Sequence, residues 1–118
     1  MENLISLLFL ARDFAHREHL HTTSYSQHMA LRSFYEDILD IADSIAEAYQ
    51  GRFGLMSLVP IIGHTADTPI VEILKTHLKW IDDNRYAVVD KKETTLQNLI
   101  DEAVAIYYEA LYKLENLS

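Results

Sequence analysis

The sequence predicts an all-α chain, a four-helix bundle with a long apolar connection between helices two and three. Three observations predict it. Only three Gly and two Pro occur in 118 residues, too few for the many tight turns of a β-rich chain. Apolar residues recur at three- and four-residue steps in four separate segments, the mark of amphipathic helices. Helix-start and helix-stop residues punctuate those segments. At this length one core suffices, so residues 1–118 are expected to form a single domain.

Helix one is expected from about Asn3 to His19, with Leu4, Leu7, Leu8, Ala11, Phe14 and Ala15 as its apolar residues. Its opening is apolar nearly all round, which predicts burial on more than one side and an oligomer contact. The run Leu4–Ala11 has Glu2 before it, no basic flank and no small-residue cleavage site after it, unlike a secretory signal. It also falls short of the roughly 20 residues that span a bilayer. No membrane segment is expected, and the protein is read as cytoplasmic.

Helix two opens on Ser24 with Gln27 three residues on, the spacing of a capping box. Leu31, Phe34, Ile38, Ala42, Ile45 and Tyr49 form its apolar stripe, and Gly51 is placed to end it in a left-handed turn. From Arg52 to Asp67 the periodicity stops. Gly54, Pro60 and Gly63 interrupt a segment with Leu55, Met56, Leu58, Val59, Ile61 and Ile62, apolar enough to be expected to pack on the bundle, with one short helical turn.

Helix three is expected to follow Thr68-Pro69, read as a cap with proline at the first helical position. It carries Ile70, Ile73, Leu74, His77, Leu78 and Ile81 and is expected to end near Asn84, leaving Tyr86–Val89 as a short extended piece. Helix four begins at Thr94 or Thr95, with Thr94 and Gln97 as a second capping pair. Its stripe runs through Leu96, Leu99, Ile100, Ala103, Val104, Tyr107, Ala110, Leu111 and Leu114. Tyr107, Tyr108 and Tyr112 are read as core and interface residues, and His77, on an apolar face, as a core histidine with a hydrogen-bond partner.

Lys and Arg number 10 against 18 Asp and Glu, a formal charge of −8. Nucleic-acid affinity rests on clustered cations, and only Lys91 and Lys92 are adjacent, so no DNA binding is expected. There is no cysteine, hence neither a disulfide framework nor a thiolate metal site.

The residues that point to chemistry are His16 and His28 with Asp43 and Glu47, and Arg32 and Glu36 between them. On a helical wheel His28, Arg32, Glu36, Asp43 and Glu47 fall within an arc about 100° wide on the shoulder of helix two, away from its apolar stripe. A site there needs a neighbouring helix or a second subunit to close over it. Imidazole nitrogen and carboxylate oxygen together suit Fe, Zn or Mn, and Asp43 and Glu47, one turn apart, present two oxygens on one face. The plainer reading makes the acidic residues a solvated face and His16 and His28 partly buried hydrogen-bonding residues, with His19 and His21 exposed at the helix end. A third reading groups Arg32 with Tyr25, His28 and Tyr35 as a pocket that holds a phosphate or stacks on a base.

The spacing His-x11-His-x14-Asp-x3-Glu formed by His16, His28, Asp43 and Glu47 resembles the ferroxidase pattern of the Dps family, the ferritin-like miniferritins. The segment Asp43-Ser-Ile-Ala-Glu47-Ala resembles that family's Asp-x-Ile-Ala-Glu-Arg, and the likeness covers about residues 7 to 51. The resemblance implies a ferritin-like bundle, a homo-oligomer, and an iron site with His16 and His28 from one subunit and Asp43 and Glu47 from its mate. A ferroxidase activity is what it implies for an enzyme. Two positions depart from the family. Arg32 stands where the family has a carboxylate four residues after the second histidine, with Glu36 one turn later as its substitute, and Arg17 stands where the family has tryptophan.

The stretch His21–Leu31, with Phe34-Tyr35 and Glu47-Ala-Tyr-Gln-Gly-Arg-Phe-Gly54, also resembles a family of small tailed-phage proteins of unassigned function, some labelled ferritin-like. That likeness implies a host-cytoplasmic phage protein. It keeps open a non-enzymatic alternative, a binder of a nucleotide immune signal or of a host protein that counters host defence.

Overall fold

The computed structural model describes residues 1–64 and 67–117. They form four helices and, among the described residues, no strand: α1 (Glu2–His21), α2 (Tyr25–Phe53), α3 (Ile70–Val88) and α4 (Thr94–Asn116). At 1.5 Å per residue α2 is about 43 Å long, so it alone sets the 44 Å long axis. Each helix packs on two others: α1 on α2 and α3, and α4 on α2 and α3. Around the bundle the order is therefore α1, α2, α4, α3.

Ion pairs and hydrogen bonds at the helix ends fix the directions. Arg52 near the end of α2 pairs with Glu93 at the start of α4, Nη2 to Oε1 at 3.1 Å. Lys75 early in α3 meets Glu115 late in α4 at 3.4 Å, and Arg85 late in α3 meets Asp101 early in α4 at 2.7 Å. Thus α4 runs antiparallel to both α2 and α3. The connection leaves α2 beside Ser6, whose hydroxyl donates to the Pro60 carbonyl at 2.7 Å, and climbs α1 to Arg17, which donates to the His64 carbonyl. It delivers α3 antiparallel to α1. The order is up, down, down, up, with one long crossover.

The core is filled by the faces that the periodicity marks. Leu4, Leu8, Ala11 and Ala15 of α1 meet Leu31, Phe34, Ile38 and Ile45 of α2, Leu74 and Ile81 of α3, and Ile100, Ala103 and Tyr107 of α4. At its centre Phe34 and Tyr107 pack edge to face, 5.2 Å between centroids, the arrangement aromatic quadrupoles favour. Truncating a fully buried aliphatic such as Leu8 or Ile38 to alanine costs about 2–5 kcal/mol.

The helix ends differ from the sequence expectation more than the interiors do. Gly51 does not end α2. The helix runs through it to Phe53, and Gly54 carries the positive φ of 93°. Ser24 does cap α2, accepting from the Gln27 N–H. The other half of the box is relayed, because the Ser24 N–H goes to the Thr22 hydroxyl, which donates to Gln27 Oε1. Pro69, not Thr68, is the cap residue of α3, and no side chain bonds there. The expected extended piece Tyr86–Val89 is helical up to Val88, with Val89 as its extended cap.

Thr94 and Gln97 do not form a capping pair, since Glu93 precedes the helix and makes no side-chain cap. Gln97 is used otherwise. Its amide nitrogen donates to the Val89 and Arg85 carbonyls, at 2.9 and 3.3 Å, and its oxygen accepts from Arg85 Nε at 2.8 Å. One buried amide thereby satisfies the Val89 carbonyl, which the end of α3 leaves without a helical partner, and adds a second donor to the Arg85 carbonyl, which already accepts from the Val89 N–H.

The connection, residues 54–69, holds no helical turn among its described residues; Thr65 and Ala66 lie outside them. It packs on the bundle only in part. Met56 and Val59 touch the core, whereas Leu55, Leu58 and Ile61 are each more than 90% exposed. Bound through Ser6 and Pro60, an extended strap can turn only some of its side chains inward.

Candidate functional site at the first hairpin

The turn between α1 and α2 gathers three histidines and a tyrosine. His19 and His28 stack at 3.6 Å between centroids, 20° from parallel. His16 lies one turn before His19, 6.0 Å from it, and stacks on Tyr35 at 4.4 Å. Tyr35 in turn meets His19 edge-on at 5.3 Å. The short connection at residues 22–24 holds the two helices close enough for these rings to touch.

The backbone bonds decide the tautomers. His19 Nδ1 lies 2.7 Å from the His28 carbonyl oxygen, and His28 Nδ1 lies 2.8 Å from the His19 carbonyl oxygen. A carbonyl only accepts, so each Nδ1 carries the proton and donates. In the neutral ring Nε2 then keeps its lone pair, as in a histidine prepared to bind a metal, whose other nitrogen typically donates to a carbonyl or carboxylate.

His19 was expected at the surface and is instead buried, 8% exposed. The pattern carried the signal, for His19 falls one turn after Ala15 and continues the buried line Leu8, Ala11, Ala15. His16 and His28 are half-buried and His21 is exposed. His16 and His28 flank His19 and do not touch each other.

Asp43 and Glu47 are exposed on α2 and make no ion pair among the described residues. They lie 15 and 19 positions beyond His28, about 22 and 28 Å along the axis. One chain therefore does not bring the two histidines and the two carboxylates together. Among the described residues no group of three or more His, Asp or Glu is placed to hold a metal ion within the chain. Arg32 donates from Nε to Glu36 Oε1 at 3.1 Å, and this bond, with the Glu36 charge, shifts the guanidinium pKa upward. Tyr25 points into solvent, 78% exposed, and Tyr35 is occupied by His16, so Arg32, Tyr25, His28 and Tyr35 form no closed pocket.

A second histidine is placed as expected. His77 is buried and shares a 3.2 Å hydrogen bond with Tyr107 Oη in the core. Burial pushes its pKa down to about 4 and raises that of Tyr107. Tyr108 and Tyr112, on the same helix, are exposed.

The family model that matches the chain covers residues 19–114 and describes a family of unknown function (DUF5856). The chain belongs to this family. The DUF5856 match takes in His19, His28, Asp43, Glu47, His77 and Tyr107 and begins after His16. No curated protein and no solved structure matches this DUF5856 member. None of its described helices is long and apolar enough to cross a membrane.

Proposed function

We propose that the protein is a ferritin-like, Dps-like metal-binding protein that works as a homo-oligomer. His16 and His28 of one protomer and Asp43 and Glu47 of a second hold a divalent ion, Fe or otherwise Zn or Mn, with Glu36 beside them. The observation that carries this reading is the His28 tautomer. Its Nδ1 donates to the His19 carbonyl, which leaves Nε2 as a free lone pair in a fixed ring. The helix order, up, down, down, up with a single crossover, is that of ferritin-like bundles. Asp43 and Glu47 offer unpaired oxygens one turn apart on an exposed shoulder. If iron fills the site, oxidation by dioxygen or peroxide is the activity to assay. The nucleotide-binding reading has no comparable observation behind it.

A two-fold interface uses each surface twice, and that makes the test specific. Protein purified without chelator is weighed by native mass spectrometry and its metal measured. Bound Fe, Zn or Mn is expected on an oligomer, and lost in His28→Ala and in Glu47→Ala. Mixing the two variants re-forms one intact site of two in each mixed dimer, so with random pairing about a quarter of the wild-type metal should return. A metal-free wild-type protein, or no recovery on mixing, refutes the proposal.

A further inference from the structure

A different part of the molecule has the makings of a second site. Between α1 and α3, beneath the end of the crossover, lies a cleft of about 260 Å³. Leu10, Phe14 and Ile73 wall it, the His64 ring lies against Phe14, Thr68 and Thr76 stand at its rim, and His77 lies at its floor. Its volume exceeds that of an apolar cavity that holds one benzene ring, about 150 Å³. An apolar pocket with a few placed polar groups is the usual form of a small-molecule site.

The polar group is defined by what lies behind it. His77 is 6% exposed, and its Nδ1 is engaged by Tyr107 Oη at 3.2 Å. Tyr107 is fully buried, and its hydroxyl proton has no other acceptor among the described residues. A buried donor left unmatched costs about 1–3 kcal/mol. The arrangement that avoids this has Tyr107 donating to Nδ1, which puts the imidazole proton on Nε2. That nitrogen has no hydrogen-bond partner among the described residues, yet it is not sealed in, as Arg12 Nε is. It therefore opens to the cleft that His77 lines, as a donor with no partner among the described residues. Because the ring is neutral at physiological pH, it has no charge with which to select an anion.

We propose that this cleft binds a small, uncharged, largely apolar molecule bearing one acceptor oxygen, which takes the His77 Nε2–H. The site is independent of the metal proposed at the first hairpin. An aryl ketone has the right size and chemistry, with its ring between Leu10, Phe14 and Ile73 and its carbonyl on the imidazole.

Acetophenone and its hydrocarbon isostere α-methylstyrene are the probes, titrated into the full-length protein with the His77 ring nitrogens observed by NMR. Acetophenone is expected to move the Nε2 resonance and to bind about fivefold or more tightly than the isostere, the range of one net hydrogen bond. Thr76→Phe, a rim substitution at an exposed position, should abolish binding while leaving the helical spectrum intact. Tyr107→Phe, which releases the tautomer, should narrow the preference for the ketone. Equal affinity for both probes, an unmoved His77 resonance, or undiminished binding in Thr76→Phe would overturn the proposal.

Discussion

His19 and His28 each donate from ring Nδ1 to the other's main-chain carbonyl, at 2.7 and 2.8 Å, while their rings stack at 3.6 Å. The pair closes the first hairpin reciprocally, and removing either ring loses its own bond and takes away the other ring's stacking partner, while the other ring keeps its bond to a main-chain carbonyl. His19→Ala and His28→Ala should each lower stability by about 1–3 kcal/mol. The double variant should cost clearly less than the sum of the two, with a coupling of about 0.5 kcal/mol or more. Urea denaturation of the four proteins measures it, and strict additivity would show that the rings act separately.

Gln97 should be the costliest polar residue to replace. Gln97→Leu keeps the volume but removes the amide from the Val89 and Arg85 carbonyls and from Arg85 Nε. The Arg85 carbonyl keeps the Val89 N–H, but the Val89 carbonyl and Arg85 Nε are left unmatched, at about 1–3 kcal/mol for a buried group. A lower urea midpoint with hydrogen-exchange protection lost first around Val88 and Val89 is the expected result. Arg85→Lys should be milder, because Lys keeps the charge near Asp101 but loses the forked geometry.

His77 makes stability depend on pH with a defined sign. Its folded pKa, about 4, lies below the ordinary 6.5, so between these values the unfolded chain binds a proton that the folded chain refuses. Stability therefore falls as pH drops from about 6.5 towards 4, by up to about 3 kcal/mol. In His77→Leu that component should vanish. The decisive quantity is the wild-type minus variant difference in unfolding free energy at pH 7 and at pH 4.5, and an unchanged difference would refute the assignment.

Two glycines three residues apart should respond in opposite directions. Gly51 is helical with open space where a Cβ would be, so Gly51→Ala should raise stability by about 0.5–1 kcal/mol. Gly54 has φ 93° and ψ 174°, a region essentially reserved for glycine. Gly54→Ala should therefore lower stability by about 1–3 kcal/mol. Thermal melts of the two variants check the pair of signs.

The interiors of all four helices were legible in the sequence because burial writes itself as periodicity. Leu31, Phe34, Ile38, Ala42 and Ile45 form the stripe that the structure buries. The ends were less legible because several residue types compete for the same backbone groups. Gln97 has the spacing of a cap partner for Thr94, but the open Val89 carbonyl at the end of α3, brought near only by the fold, claims its amide. Gly51 is a weak helix former, yet helical bonds continue beyond it to Gly54, whose N–H reaches Gln50.

In the candidate site, the half-buried histidines and the exposed acidic shoulder were visible as polar interruptions of the pattern. The role of His19 was not, because a residue near a helix end reads as solvent-facing unless the next helix is known to fold back on it. The pairing of Phe14 with His64 was equally hidden, since it joins residues separated by most of two helices and their connection.

The order of the helices around the bundle has a consequence for how the chain assembles. Two neighbour pairs, α1 with α2 and α3 with α4, are joined by the brief links at residues 22–24 and 89–93, while the other two seams, α1 with α3 and α2 with α4, unite segments far apart in sequence. Loop closure is cheap for the first kind of contact and dearer for the second. The two hairpins are thus natural early units, and the later step is their face-to-face docking, in which Phe34 meets Tyr107 and the polar core pair becomes sealed.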